Sequence, residues 1–281
     1  MKKVIALVSL SLLFFAACQK EGTVRLRVQV VPPASDEKVY IDDANHAWFH
    51  MGDKILINGL AYRMSSPDGS GVYFVDVDED MLNANPASYD VFYPAANASY
   101  SVANHTYSLL LKSNQQYYVE DASGSQKLEA VMAGSVNADE STITLHNVTS
   151  LLRVKIPPSF VNLISITVTA GDVTSGHNDL MSGQYTVAMN NTSGPTMTKN
   201  TGKGPSVILT CPNGTCRTDR TYYVVLPPTL TDDTPNPVQY KVTIFGEVMT
   251  DVEGVSTRVK AYAEVKQNRP SVLRANHNWK C

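Results

Sequence analysis

The chain has little cysteine and no excess of positive charge, and both absences narrow its class. Four cysteines occur in 281 residues, at positions 18, 211, 216 and 281. They are too few to be the framework of the fold, although an exported protein can use one disulfide. The formal net charge is −3, and loss of the two lysines at positions 2 and 3 with a leader makes it −5. This balance gives no reason to expect nucleic acid as a partner.

The sequence also lacks the short motifs of common enzyme classes. It contains no H-E-x-x-H, no G-x-S-x-G and no P-loop, and its six histidines are scattered. The acidic run at residues 76–80 (DVDED) lacks the glycine and the distant glutamate of an EF-hand loop, and a solvated strand edge explains it better. We therefore predict no enzyme activity, no cofactor and no metal site. Paired glycosidase carboxylates leave no local motif, so the sequence does not address them.

The N-terminal apolar run is too short to span a bilayer. After two lysines, residues 4–15 form an uncharged run of about 12 residues, whereas a transmembrane helix needs roughly 20. The run has the form of a removable signal. The two alanines before Cys18 resemble the end of a bacterial lipobox, with Phe15 where leucine is usual. The resemblance implies a signal peptide at residues 1–17, acylation of Cys18 and a lipid anchor in the outer membrane, with the protein on the cell surface. The alternative is an ordinary signal followed by a chance cysteine.

Alternation of apolar and polar residues is abundant, and no segment makes a convincing amphipathic helix. Short alternating segments are separated by turn residues such as Pro-Pro, Asn-Gly and Pro-Asp-Gly. This pattern predicts an all-β fold built from antiparallel β-sandwiches. The predicted strands are 24–30, 54–62, 72–77, 89–93, 107–111, 142–145, 151–156, 164–169, 184–188, 207–210, 222–226, 239–245, 258–265 and 272–275.

A domain boundary is predicted near residue 140. Residues 133–141 are small and polar and lie between two runs of strands. Residues 152–158 and 26–33 both alternate and run into a double proline, which weakly suggests a repeat. Two tandem domains, at residues 18–139 and 140–281, also fit ordinary domain sizes better than one.

The most specific local pattern is Cys211-Pro-Asn-Gly-Thr-Cys216. An Asn-Gly pair favours a tight turn, and a hairpin built on it would place the two cysteines opposite each other. We predict a disulfide between Cys211 and Cys216, with a metal pair or two free thiols as alternatives. Cys281 is then left over as an exposed thiol.

Several strings, in order, resemble the fimbrillin family, the lipoprotein precursors of type V pili. Residues 48–55 (WFHMGDKI) resemble its W-x-x-G-D-x-I motif with one extra residue, and residues 91–95 (VFYPA) resemble its Y-Y-P-A strand end. Residues 144–154 (TLHNVTSLLRV) resemble the start of its second domain. Residues 221–228 (TYYVVLPP) resemble its Y-Y-x-x-L-P-P strand. Together with the lipobox, these matches extend over most of the mature chain.

The resemblance implies two transthyretin-like sandwiches and assembly by strand exchange. A protease would cut after a basic residue, here Lys38, and remove the first strand, residues 24–31. A strand from the next subunit, near residues 271–279, would then fill the groove by β-augmentation. The core-facing plug of the removable strand would be Val24, Leu26, Val28 and Val30. The alternative is that this strand is permanent and Lys38 is a solvated loop charge.

The function implied is that of a structural or adhesive pilus subunit. Its partners would be other pilus subunits, the outer membrane through the lipid anchor, and a receptor on a host or bacterial surface. The alternative function is a surface lipoprotein that does not polymerise and binds glycan or peptide through its loops. Exposed aromatic residues such as Tyr100, Tyr117 or Tyr118 would favour that alternative, because sugars stack on rings. A secreted hydrolase is the least favoured class, since no nucleophile or metal motif is present.

Overall fold

The computed structural model describes residues 23–30, 40–41, 53–65, 73–78, 86–96, 98–119, 126–127, 130–170, 181–190, 192–212, 216–227, 240–267 and 272–273. Every regular element within these ranges is a β-strand, so the predicted all-β fold is confirmed. In chain order the strands are β1 Thr23–Val30, β2 Tyr40–Ile41, β3 Lys54–Ile57, β4 Leu60–Arg63, β5 Tyr73–Asp78, β6 Ser88–Tyr93, β7 Ala98–Ser101, β8 Thr106–Leu111, β9 Asn114–Gln116, β10 Tyr118–Val119, β11 Gln126–Lys127, β12 Met132–Asn137, β13 Thr142–Asn147, β14 Ser150–Lys155, β15 Phe160–Ala170, β16 Ser182–Ala188, β17 Thr196–Gly204, β18 Ser206–Thr210, β19 Thr221–Leu226, β20 Tyr240–Val252, β21 Val255–Gln267 and β22 Val272–Leu273.

Seven strands form a curled sheet in the order β4-β3-β6-β12-β13-β1-β5. Its two outer strands approach each other, since Ser65, just after β4, exchanges backbone hydrogen bonds of 2.9 and 2.8 Å with Phe74 on β5. Apolar side chains from alternate positions of these strands, including Ile55, Val75 and Ile143, are fully buried inside the curl. We call this set the first core.

Residues 133–141, predicted as a polar interval between domains, instead contain most of β12 and the turn after it. β12 pairs with β6 along its whole length and with β13 at its start. The small residues have a packing reason, because a Cβ on Gly134 would lie 2.2 Å from the carbonyl oxygen of Thr144. Residues 133–137 thus form a strand and not an interval between strands, and their composition resembles that of a linker because the strand has to fit under its neighbour.

A second set of strands forms two facing sheets. The five-stranded sheet has the order β21-β20-β15-β18-β9, and the three-stranded sheet has the order β19-β14-β22. Buried side chains of both sheets, such as Val154 and Tyr222 on one and Ile166 and Ile244 on the other, meet between them. This second core is the interior of a β-sandwich.

A four-stranded sheet, β17-β16-β8-β7, combines strands from both halves of the chain. Its inner face, which includes Tyr107 and Tyr185, packs on Phe92 of the seven-stranded sheet and on Tyr223 of the three-stranded sheet. The rings of Phe92 and Tyr107 are stacked with centroids 4.8 Å apart. This third core lies between the four-stranded sheet and the outer faces of the seven-stranded and three-stranded sheets. Among the described strands, β10, β11 and β2 form a separate small sheet in the order β10-β11-β2.

Strand pairing crosses the predicted boundary at residues 139/140. β8 pairs with β16, and β13 belongs to the seven-stranded sheet. Gln115 on β9 adds a side-chain connection, because its Nε2 donates to the carbonyl of Val225 at 2.6 Å and its Oε1 accepts from the amide of Val225 at 3.0 Å. We call this buried pair of bonds the Gln115 latch. The division into two tandem transthyretin-like domains stays a prediction.

Candidate functional site

The first strand, β1, carries the four predicted plug residues. Leu26 and Val28 are fully buried in the first core, and Val24 is partly buried against it. The arginines between them are exposed, as the alternation requires. The side chain of Val30 lies outside the described residues. The structure therefore brings three of the four predicted residues to one apolar face.

β1 lies between two strands and pairs with both. Residues Thr23 to Val28 are antiparallel to β5, with Leu26 opposite Val75. Residues Arg27 to Val30 are parallel to β13, and the amide of Arg27 also donates to the carbonyl of Ser141 at 2.8 Å. Removal of β1 would leave two unpaired strand edges that face each other. The structure thus defines a strand-shaped groove that is occupied by the chain's own first strand.

Burial of the plug residues is the main attraction that holds β1. Full burial of an aliphatic side chain is worth about 1.5–3 kcal/mol, so Leu26 and Val28 together contribute roughly 3–6 kcal/mol. Ladder hydrogen bonds add a smaller net amount for each pair, because the separated strands would bond to water instead. Apolar alternation and not charge therefore determines which strand fits this groove.

An ion pair marks the solvent face of the groove. Arg25 donates from Nε to Oδ1 of Asp76 at 2.7 Å and from its terminal nitrogen to Oδ2 at 3.1 Å. The hydrogen bonds from Arg25 lower the pKa of the Asp76 carboxyl below its ordinary value. Both side chains are about half exposed, so screening by water keeps the contribution to stability small.

Most of the other residues predicted to take part in assembly lie outside the described residues. Cys18, Lys38 and Cys281 lie outside the described residues. Of the predicted donor segment 271–279, the structure describes β22, which pairs with Leu151 and Leu152 at the edge of β14. The described part of this segment is thus a two-residue ladder, and residues 271 and 274–279 lie outside the described residues.

The Cys211–Cys216 disulfide is confirmed, with Cα atoms 5.7 Å apart. Its backbone setting differs from the predicted hairpin. The amide of Cys211 donates to the carbonyl of Ile164, and Cys216 exchanges hydrogen bonds with Leu163, so both cysteines pair with β15. Residues 213–215 of the turn lie outside the described residues. The disulfide therefore closes the loop after β18, and hydrogen bonds hold both of its cysteines against β15.

A cleft of 760 Å³ lies beside the disulfide. Tyr117 and Tyr222, whose rings are 5.0 Å apart, line it together with Arg217, Asp219 and Arg220. Arg217 donates from Nε to Asp219 at 2.9 Å, and the Tyr222 hydroxyl donates to the carbonyl of Arg217. Burial raises the pKa of Tyr222 above its ordinary value. Sequence analysis missed this cleft, because its residues come from separate segments.

The aromatic residues considered for sugar binding are not exposed platforms. Tyr117 is buried, with only 4% of its surface accessible. Tyr100 is partly buried, and its hydroxyl donates to Oδ2 of Asp90 at 2.6 Å. The side chain of Tyr118 lies outside the described residues. Among the described side chains, the most exposed large aromatic residue is instead Tyr262 on β21, which is 70% exposed.

A buried carboxylate, that of Asp90, organises a network that sequence analysis did not identify. Besides Tyr100, it accepts from Ser135 Oγ at 2.6 Å and lies 2.8 Å from His105 Nδ1. The backbone carbonyl of Asp90 accepts hydrogen bonds from the amide of Asn58 and from the Tyr107 hydroxyl. The backbone amide of Asp90 donates to Oδ1 of Asn58. Burial raises the pKa of both tyrosines. Ser135 donates to Asp90 and not to His105, so the network connects strands and does not form a nucleophile–base pair.

The described residues provide neither a metal site nor a helix that could span a membrane. No group of three or more His, Cys, Asp or Glu side chains is arranged there to hold a metal ion. Nor do these residues include a helix with the length and apolar character needed to cross a membrane. Comparison of the chain with protein-family models, with curated proteins and with solved structures found no match.

Proposed function

We propose that the chain is a fimbrillin-like structural or adhesive subunit of a type V pilus. In this proposal it is first anchored to the outer membrane through Cys18, has no catalytic role, and assembles by strand exchange after a cut that removes its first strand together with that anchor. The single observation that carries the proposal is the position of β1. This strand fills a groove between β5 and β13, and two of its side chains, Leu26 and Val28, are fully buried.

The connection after β1 is where processing would act. β1 ends at Val30 and β2 begins at Tyr40, so a cut at Lys38 falls within the intervening chain. After that cut, β1 would be held only by its ladder bonds and its buried side chains. A strand held in this way can leave and be replaced by another strand of similar alternation.

The C-terminal segment supports the proposal as a source of the donor strand. Among the described strands, β22 is an outer strand of its sheet and pairs with β14 alone, so it can detach without disrupting a central strand. Detachment exposes the edge of β14 that β22 had covered. Release is therefore favourable only when the segment can enter a groove that binds it more strongly. In the proposed polymer, that groove is the one vacated by β1 on the next subunit.

Limited trypsin digestion tests the proposal on the mature chain that carries Cys18→Ser. We expect a cut at Lys38 to release the segment that includes residues 24–31, and the remaining chains to form a ladder of oligomers. Mass spectrometry identifies the cleavage site. Size-exclusion chromatography and native gel electrophoresis detect the ladder of oligomers. A synthetic peptide of residues 23–30 should block the ladder by refilling the groove.

Two matched controls make the result specific. The Lys38→Gln variant should stay monomeric under the same digestion, and a peptide that carries Leu26→Ser and Val28→Ser should not block the ladder. Strand exchange is contradicted when trimmed, folded protein remains monomeric. It is also contradicted when ladders form equally well from the Lys38→Gln variant.

The cleft beside the disulfide favours one alternative function, a surface lipoprotein that binds peptide or glycan through its loops. Its aromatic floor and charged rim combine apolar contact with polar recognition, as ligand sites do. Binding of the Lys38→Gln variant to glycan and peptide panels tests this alternative. Thr218→Trp would fill the cleft and abolish such binding, whereas Val102→Trp, at an exposed position elsewhere, would leave it unchanged.

A further inference from the structure

The hairpin of β20 and β21 is the longest paired element among the described strands, with 13 residues in each strand. β20 pairs with β15 on its other side as far as Val248. β21 is the outer strand of its sheet, and no described strand pairs with its free edge. Its sequence, VSTRVKAYAEVKQ, contains no proline or glycine. A long edge of this kind can add another strand.

Exposed apolar side chains concentrate on this hairpin. Among the described residues, seven large hydrophobic side chains are exposed, and four of them lie here: Met249, Val255, Val259 and Tyr262. Tyr262 is the most exposed, at 70%. Its ring is already stacked on Phe245, with centroids 4.5 Å apart, so little side-chain freedom is lost when a partner covers it.

We infer that β21 pairs antiparallel with β21 of a second copy of this chain, with the twofold axis at Ala261. Ala261 is the middle residue of the strand, so this register uses its full length. Arg258 then lies opposite Glu264 of the second copy, and Lys260 lies opposite Tyr262, each twice by symmetry. Opposite charges and a cation over an aromatic ring both favour this arrangement.

The charges favour this register over its neighbours. If the axis moves to Lys260, that lysine lies opposite its own copy and the like charges repel. If the axis moves to Tyr262, Lys260 lies opposite Glu264, but Arg258 lies opposite position 266, which is also basic in the sequence. On the other face of the strand, Ala261 lies on the axis and Ala263 lies opposite Val259 of the second copy, and both alanines are partly buried against the second core. Small and aliphatic side chains therefore meet at the axis on this face. A seam formed by one strand from each copy is small, so the dimer should be weak and reversible.

The alternative role for these charges is protection of the edge, since natural proteins often place lysine or arginine there to prevent association. Charge exchange separates the two roles. In a chain with Cys18→Ser and Cys281→Ser, Arg258→Glu alone and Glu264→Arg alone should each weaken the dimer by roughly tenfold or more, because like charges then face each other twice. The double variant restores opposite charges across the axis. It should recover wild-type association by sedimentation velocity over a range of concentrations.

The double variant also distinguishes association from folding. Glu264 pairs with Lys241 of its own chain at 2.5 Å, and Glu264→Arg breaks that pair whether or not Arg258 is changed. Folding stability should therefore stay lowered in the double variant while association returns. Tyr262→Ser provides a second variant that keeps every charge and should also weaken the dimer. Met249→Ser, an exposed position on β20, is its control and should have no effect.

Cysteine crosslinking tests the register directly. Ala261→Cys places each thiol opposite its own copy on the axis, so oxidation should give a covalent dimer. Thr257→Cys lies opposite residue 265, so its two thiols are far apart and should not crosslink.

The inference is overturned if the wild-type chain is monomeric at every concentration, or if the double variant associates as weakly as the single ones. It is also overturned if Thr257→Cys crosslinks as well as Ala261→Cys. The inference does not depend on the proposed function, because the chain used here is unprocessed and Lys38→Gln should not change the result.

Discussion

β1 and β21 have similar sequences but occupy opposite positions in the molecule. Both contain alternating apolar and basic residues, VRLRV in one and RVKA in the other. β1 pairs on both edges and buries Leu26 and Val28 completely. Among the described strands, β21 pairs with β20 alone, and it leaves Val259 and Tyr262 exposed. The difference shows that alternation specifies a face, whereas the number of paired edges decides whether that face reaches a core.

The comparison also separates two ways of joining copies of this chain. At β1, a partner strand would have to replace a strand that is already in place. At β21, a partner strand would add to an edge that is already available. The first process needs cleavage and the second needs only concentration, so the two can be measured independently.

The largest predicted effect contrasts the same kind of truncation in the two strands. Leu26→Ala should lower the free energy of unfolding by about 2–5 kcal/mol, because it opens a cavity in the first core. Val259→Ala on β21 should change it by no more than about 0.5 kcal/mol, as expected for an exposed side chain. Urea unfolding at neutral pH measures both, with Arg27→Ala as the exposed control on β1. Equal losses for Leu26→Ala and Val259→Ala would remove the distinction between the strands.

An intermediate effect is expected at the Gln115 latch, which links β9 to the sheet that contains β19. Gln115→Ala would leave the buried amide and carbonyl of Val225 without these partners, at a cost of about 1–3 kcal/mol. β9 lies in the five-stranded sheet and β19 in the three-stranded sheet, so the latch joins the two sheets of the sandwich that contains β21 and not the sheet that contains β1. The loss should therefore destabilise the sandwich, and calorimetry should record a lower unfolding temperature. Asn114→Ala, at an exposed neighbouring position, should retain the wild-type profile.

The smallest effect concerns the ion pair on the solvent face of β1. Because Arg25 lowers the folded-state pKa of Asp76, the pair's stabilisation is fully present above the ordinary carboxyl value of 3.8 and is lost as pH falls through the folded-state value. Asp76→Asn should therefore cost about 0.2–1 kcal/mol at neutral pH, and the difference from wild type should shrink in acid. Urea midpoints measured from pH 7 to pH 2.5 test this. Asp139→Asn, in an exposed turn, is the matched control for the change of a carboxylate to an amide.

Local patterns predicted the strands well, because alternation reflects a property of each segment alone. Residues 24–30 alternate, and they form β1 with Leu26 and Val28 inward. The pairing of Cys211 with Cys216 was also predictable, since the two cysteines are only five positions apart in the sequence. Their shared contact with β15 was not, because that strand lies almost 50 residues earlier.

The parts that could not be predicted depend on long-range pairing. Gly134 belongs to a composition typical of linkers, and only the approach of Thr144 explains it. Asp90 follows the alternation of an ordinary strand, and its burial depends on Tyr100, His105 and Ser135. The β21 edge was visible as a strand in the sequence, but its lack of a second partner was not.

The parallel pairing of β1 with β13 has a consequence for the order of folding. Arg27 pairs with Thr142, so this part of the ladder can form only after more than 100 further residues have been synthesised. Contacts of such long sequence separation form late, because closing the intervening loop costs entropy. During synthesis, the apolar face of β1 would thus wait for this part of its groove until about half of the chain has emerged. We expect hydrogen-exchange protection of β1 to develop later in refolding than that of the local β20–β21 hairpin, so that the first strand of the sequence is among the last to be fixed in the fold.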